Sequence, residues 1–357
     1  MKLLTIVGAR PQFVKAAVVS RALSKINNIE ELIVHTGQHH DANMSDVFFE
    51  EMEIPKPAFN LGIHGLGHGA MTGQMLIGLE ALYSQQKPDR VLVYGDTNST
   101  LAGALTAAKM HIPVAHIEAG LRSFNMKMPE EINRILTDRI SDLLFCPTQT
   151  AIDNLSKEGY PFSGTKVLLS GDVMQDAALY YAQTSASKSN IIEKLKLKDF
   201  VLCTLHRAEN TDYLSRLKSI IDSLSEINKT TPVVLPLHPR TRKIVTDAGM
   251  KLPFTVIDPV GYFDMIEMLK HCSLVMTDSG GLQKEAFFFG KHCITLRDET
   301  EWVELVHGGF NKLAGADYAN ILSSFEEMRN KKSDFNVNLY GGGKATDNIV
   351  NELLRTF

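Results

Sequence analysis

The chain has 357 residues, 44% hydrophobic and 22% charged, which fits two domains of ordinary size in a globular protein. Its 37 basic and 41 acidic residues give a net charge of -4, which argues against nucleic acid or an anionic membrane as the main partner. Any phosphate must therefore be held by a few focused groups. Met1-Lys2 leads straight into the apolar run Leu3–Val7, which stops at Gly8, so a strand is expected there and no signal peptide or membrane span. Cys146, Cys203, Cys272 and Cys293 are scattered without metal-ligand spacing and read as reduced core residues of a cytoplasmic protein.

In chain order, strands are predicted at Leu3–Val7, Glu31–Thr36, Arg90–Tyr94, Val114–Ile117, Leu143–Cys146 and Lys166–Leu169. They resume at Phe200–Leu205, Val233–Leu237, Thr255–Ile257, Leu274–Met276 and Cys293–Leu296. Helix-period stretches lie between them, among them Pro11–Leu23, Thr100–Met110, Glu130–Ser141, Asp212–Ile227 and Tyr262–His271. Runs apolar on both faces and alternating with helices indicate an α/β protein with two doubly wound, Rossmann-like domains. The expected division is 1–170 and 171–344, with a seam near Ser170–Asp172 and a polar surface connector at Gln183–Asn190. A last helix, within 345–357, is expected to pack back on the first domain.

Ligands of such sheets bind beyond the C-terminal strand ends, and here those ends are rich in polar residues. Asp278-Ser279-Gly280-Gly281 closes a strand and opens a helix, a natural diphosphate site; the plainer reading is an N-cap with tight packing. Glu285, one turn on, either meets a ribose hydroxyl pair or faces solvent. In Gly8-Ala9-Arg10-Pro11-Gln12, Arg10 projects where a phosphate would lie, and Lys15 either points into the same cleft or is a solvated helix lysine. No G-x-G-x-x-G is present, so no dinucleotide cofactor is expected. His206 and His238 follow strands of the second domain and are either structural or further diphosphate contacts.

The first domain supplies carboxylates. Asp96 and Glu118 end strands expected to be neighbours, and Glu130 and Glu131 open a helix after Pro129. Glu130, Arg134 and Asp138 have the spacing of a surface ion-pair ladder, whereas Glu118 has no local partner. Carboxylates sharing one cleft can divide into acid and base, which suits proton removal from a weakly acidic carbon when a good leaving group departs next to it. His39, His40, Asp41, His64 and His68 match no metal-ligand set, so no metal is expected, and Gly62–Gly69 reads as a flexible loop over the cleft.

Over essentially its full length the chain resembles the non-hydrolysing UDP-N-acetylglucosamine 2-epimerases. The resemblance rests on Gly8-Ala9-Arg10-Pro11 with Lys15, Thr36-Gly37-Gln38-His39, Gly95-Asp96-Thr97 and Glu118-Ala119-Gly120-Leu121-Arg122. It continues through Pro129-Glu130-Glu131 with Asn133-Arg134, His206-Arg207 with Glu209-Asn210, Thr277–Gly281 with Gln283 and Glu285, Arg297-Asp298 and Thr300-Glu301. It implies a two-domain, glycosyltransferase-B-like fold, a homodimer, a UDP-sugar in the interdomain cleft, and epimerisation by elimination and re-addition of UDP. Carried onto this chain, Asp96, Glu118, Glu130 and His206 become catalytic candidates. Arg10, Lys15, His206, His238, Ser279, Gly280 and Gly281 become diphosphate contacts, and Glu285 a ribose contact.

Three departures stand out: Trp302-Val303 replaces the usual Arg-Pro after Thr-Glu, Gln283-Lys284-Glu285 replaces Gln-Glu-Glu, and the 123–128 segment is short. With His40–Ser45 and Ala286–Gly290 they resemble the UDP-2,3-diacetamido-2,3-dideoxyglucuronate 2-epimerases, which serve O-antigen or capsule synthesis. Arg122 or Lys127 would then meet the sugar carboxylate. The alternatives are an epimerase of neutral UDP-N-acetylglucosamine, a glycosyltransferase or hydrolase of the same architecture, and a non-catalytic nucleotide-sugar sensor.

Overall fold

The computed structural model describes residues 1–38, 55–162 and 164–356, with every side chain among them except that of Arg10. The chain forms two units, Met1–Ala177 with Asn338–Phe357, and Ala178–Val337. The boundary falls inside helix Val173–Ala182.

The first unit holds a parallel sheet of strands β1 (Lys2–Val7), β2 (Glu30–His35), β3 (Phe59–Asn60), β4 (Arg90–Tyr94), β5 (Val114–Ile117), β6 (Leu143–Cys146) and β7 (Lys166–Leu169). Their order is β3-β2-β1-β4-β5-β6-β7. The direction of winding reverses between β1 and β4, which opens a crevice at their C-terminal ends. Tyr94 pairs with Ile117 across β4 and β5, so Asp96 and Glu118 leave adjacent strands almost level. One face is covered by Met75 and Leu79 of helix His68–Gln86 and by Ala102, Ala104 and Ala107 of helix Asn98–Lys109, packed on Leu4, Ile6, Val91 and Val93. Small residues let the second helix lie close: a Cβ on Gly103 would stand 3.1 Å from both Ile6 and Val93. Thr97 starts it by accepting from the Thr100 amide.

The C-terminal helix Ala345–Arg355 packs on helix Arg10–Leu23 of the same unit. Its fully buried Ala345, Ile349 and Leu353 recur every four residues, one apolar stripe. Asp176 caps its start by accepting from the amides of Ala345 at 3.2 Å and Thr346 at 2.7 Å.

The second unit repeats the plan with β8 (Val201–Thr204), β9 (Val233–Pro236), β10 (Thr255–Ile257), β11 (Leu274–Thr277), β12 (Cys293–Thr295) and β13 (Asn311–Leu313), ordered β10-β9-β8-β11-β12-β13. Its switch point lies between β8 and β11, where Thr204 is in register with Thr277 and their hydroxyls lie 2.6 Å apart. Leu217, Ile220, Ile221 and Leu224 of helix Leu214–Ile227 bury one face of that sheet. Each such side chain contributes about 1.5–3 kcal/mol.

The sequence reading needs three corrections here. Residues 183–190 are not a plain surface connector: they contain the helical turn Ser185–Lys188, and the buried Ser185 hydroxyl donates to Glu267 at 2.6 Å. His68 belongs to a helix of 19 residues, so the proposed loop at 62–69 ends one residue before it. The short edge strands β3 and β13 lacked the apolar run that marks the others. All four cysteines are buried and unpaired. No helix among the described residues is long and apolar enough to cross a membrane.

Candidate active site

At the switch point of the first sheet the backbone turns sharply after three strands. A Cβ on Gly8 would fall 2.1 Å from the hydroxyls of both Thr36 and Ser99, so glycine is required there. Those hydroxyls sit 2.8 Å apart. Gln12 ties the neighbouring turns together: its carbonyl accepts from the amides of Gly8 and Ala9, and its Nε2 donates to the Tyr94 carbonyl and the Thr97 and Thr100 hydroxyls, all within 3.0 Å.

Glu118 follows β5 with φ +72°, a left-handed conformation rare for a residue with a Cβ. It is buried and ion-paired with Lys15. Glu118 thus has no local partner but a remote one, and of the two readings left open for Lys15 the solvated helix lysine is the one set aside. A Cβ on Gly95 would lie 3.2 Å from Glu118 Oε2 and 3.5 Å from Lys15 Nζ, so the turn carrying Asp96 lies against this pair. Asp96 is part-exposed and accepts from Arg134 Nη2 at 2.5 Å.

The expected surface ladder on helix Pro129–Ile140 is absent in that form. Arg134 and Asp138 are buried, because this face of the helix lies beneath the strand ends. Asp138 accepts from His116, Arg122 and the Gly120 amide. Burial pushes the Asp138 carboxyl up, but the hydrogen bond and charge of His116, with those of Arg122, outweigh it and hold the group below the ordinary carboxylate range. Glu131 is also internal. It accepts from the amides of Ser123 and Phe124 at 2.9 Å each and pins the 123–128 segment, whose Phe124 has φ +58°. Its neighbour Glu130 is only half-buried.

Arg122 is a further correction. Its Nε and Nη2 donate to Glu158 at 2.6 and 2.8 Å, and its Nη1 donates to Asp138 and to the Leu121 carbonyl at 2.7 Å each. Four of its five N–H donors are thus engaged inside the protein and the group is buried, which argues against Arg122 as the contact for a sugar carboxylate. Lys127 is exposed, on the segment that Glu131 holds.

In the second unit, Ser279 is the N-cap of helix Gly280–Phe288, and the first amides of that helix have no intrahelical acceptor. The buried Asp278 accepts from the amides of His206 and Arg207 at 3.1 and 2.9 Å and lies 3.2 Å from His206 Nδ1. Desolvation lowers the His206 pKa, Asp278 opposes this, and Arg207, His238 and Arg297 lower it further. His238 is the N-cap of helix Pro239–Asp247, with Nδ1 accepting from the Arg240 amide at 3.3 Å. That leaves Nε2 to carry its hydrogen outward. Glu285 does not face solvent: it is buried beside Tyr262.

The Arg10 side chain, and His39, His40 and Asp41, lie outside what the structure describes. No cluster of three or more potential metal ligands occurs among the described residues.

The model of the UDP-N-acetylglucosamine 2-epimerase family matches residues 21–354. The UDP-2,3-diacetamido-2,3-dideoxy-D-glucuronate 2-epimerase of Pseudomonas aeruginosa is 58% identical over 99% of this chain and 100% of its own. The chain belongs to this epimerase family.

Solved structures agree. The UDP-GlcNAc 2-epimerase of Methanocaldococcus jannaschii, in complex with UDP-GlcNAc and UDP, superposes with TM-score 0.92 at 42% identity, covering 99% of this chain and 100% of that one. The enzyme of Neisseria meningitidis bound to UDP-GlcNAc gives 0.88 at 34%, covering 99% and 100%. The expected glycosyltransferase-B-like class, with two parallel-sheet α/β units, is thus met.

Two of this epimerase's departures from the family pattern touch each other. Lys284 Nζ stands 3.9 Å from the centre of the Trp302 ring. Both residues are buried: Lys284 lies one turn inside helix Gly280–Phe288, and Trp302 is the N-cap of helix Val303–His307. Sequence reasoning also missed Gln12, His116 and Asp138. Gln12 and His116 carried a faint signal, a polar residue inside an otherwise apolar helix face or strand, whereas the buried face that holds Asp138 is polar throughout; spacing along the chain could not reveal what each would meet.

Proposed function

We propose that this chain inverts C2 of a UDP-linked 2-acetamido sugar without a redox cofactor, and that its substrate is UDP-2,3-diacetamido-2,3-dideoxyglucuronate, converted to the mannuronate epimer. The observation that carries the substrate is the 58% identity, over the whole length of both chains, to the Pseudomonas enzyme of that name. The exposed Lys127 gives the extra carboxylate a cation to meet, and the Lys284–Trp302 departures fit a subgroup distinct from the neutral-sugar enzymes.

In the proposed reaction a carboxylate of the first unit, from the set Asp96, Glu118 and Glu130, takes the proton from C2. The C1–O bond to UDP breaks, its electron pair leaves with the diphosphate, and a 2-acetamidoglycal remains. Protonation of the opposite face of C2 and return of UDP to C1 complete the inversion, so atoms and charge balance. The second unit holds the leaving group through the amides of Gly280 and Gly281, the Ser279 turn, His206 and the Nε2–H of His238, with Arg10 as a further phosphate contact and Glu285 beside the ribose. Donors fixed before reaction stabilise the departing charge without reorganisation. The strained φ of Glu118 supports a base held in one geometry.

We further place the enzyme in the cytoplasm, as a homodimer supplying O-antigen or capsule synthesis. Proton NMR in D2O tests the reaction and the substrate together. Deuterium entering C2 of the uronate sugar, with a manno product, is the expected result. Exchange only in UDP-N-acetylglucosamine would reject the substrate and keep the mechanism, whereas exchange in neither sugar would favour a transferase.

A further inference from the structure

His116 lies in the middle of β5 and is fully buried. Its Nε2 is 2.7 Å from the Gly95 carbonyl oxygen, and its Nδ1 is 2.7 Å from Asp138 Oδ1. A carbonyl can only accept. Asp138 must accept too: its other oxygen takes hydrogen bonds from Arg122 Nη1 at 2.7 Å and the Gly120 amide at 3.1 Å, and a carboxylate so surrounded is ionised. An imidazole between two acceptors satisfies both only if both nitrogens carry hydrogen. The charges then close: His116 and Arg122 are positive, Asp138 and Glu158 negative. Cys146 and Tyr160 also feel Asp138; burial first, then that charge, keeps the thiol and the phenol neutral.

We propose that His116 is a buried imidazolium which, locked by Asp138, is the positioning residue for the acid–base carboxylates. Two turns depend on the pair. Gly95, at φ +62°, delivers Asp96, and its carbonyl is held by His116 Nε2. Gly120, at φ +78°, follows the strained Glu118, and its amide is held by Asp138. One charged hydrogen-bonded unit therefore spans the ends of β4 and β5 from beneath and fixes the spacing between Asp96 and Glu118. A neutral ring would leave one acceptor unsatisfied inside the protein, which is costly. The positioning role rests on the reading of Asp96 and Glu118 as acid–base groups; the charge on His116 does not.

Histidine-selective 15N labelling, with His116→Gln to assign the signal, reads both ring nitrogens in the intact enzyme. The expected result is a proton on each at neutral pH. A single neutral tautomer at neutral pH overturns the proposal, and this measurement on the unaltered chain stands even where a variant fails to fold. For His116→Gln and Asp138→Asn, the positioning role predicts a fall of about a hundredfold in kcat with UDP affinity unchanged. Equal losses of kcat and UDP affinity, or no loss of kcat, would remove that role. An unaltered chain that epimerises no UDP-sugar but carries both ring protons would sink the proposed reaction and the positioning with it, leaving the imidazolium in place.

Discussion

The Lys284 ammonium lies 3.9 Å from the centre of the Trp302 ring, and both residues are buried. The pair places a cation over an aromatic face inside the protein. Lys284→Glu alone sets a carboxylate against the electron-rich face of the ring, and Trp302→Arg alone sets two cations together. Each should cost about 3 kcal/mol, while the double variant should recover most of that in a denaturant-unfolding cycle. Additive losses would show that the two positions are independent.

Lys15 sits with Glu118, not in solvent. Lys15→Met removes the ammonium paired with the buried Glu118 carboxylate, so turnover should fall by about a hundredfold with UDP affinity unchanged. A parallel collapse of UDP affinity, read by calorimetry, would instead make Lys15 a phosphate contact.

Gly280 and Gly281 separate packing from ligand approach. A Cβ on Gly280 would fall 2.2 Å from Glu301 Oε1, on a carboxylate held by Arg297 Nη1 at 3.0 Å. Gly280→Ala should therefore cost about 1–3 kcal/mol of stability. Gly281 has nothing nearer than Ser279 Oγ at 4.0 Å. Gly281→Ala should keep the Tm and weaken UDP binding about tenfold, because the added methyl blocks a diphosphate from the backbone.

The Asp138 carboxyl is held below its ordinary value of 3.8 in the fold. A depressed carboxyl contributes stability that is fully present above that ordinary value and is lost as pH falls through the lower folded one. Asp138→Asn should cost about 3 kcal/mol at neutral pH, and the gap to the unaltered chain should shrink below pH 3.8. A gap independent of pH across the acid limb would contradict the assignment.

Lys127 is the exposed cation of the 123–128 segment, whereas the Arg122 guanidinium is consumed by Asp138 and Glu158. Lys127→Met should lower turnover of the uronate sugar about tenfold while leaving that of UDP-N-acetylglucosamine unchanged. Equal effects on the two sugars would refute a carboxylate contact.

The α/β class, eleven of the strands among the described residues, and the polar residues at their C-terminal ends were legible in the sequence. They were so because strand runs apolar on both faces and helix periodicity are local signals. The sequence also carried the family, through ordered motifs from Gly8 to Glu301. Tertiary structure alone decided which polar groups are internal. The Glu130–Arg134–Asp138 spacing is that of an exposed ladder, yet the strand ends above it turned Arg134 and Asp138 into buried partners of Asp96 and His116. Lys15 and Glu118 are 103 positions apart and meet because β1, β4 and β5 lie side by side. Charged-group pairing in a parallel sheet is set by strand order, and strand order is not written in local spacing.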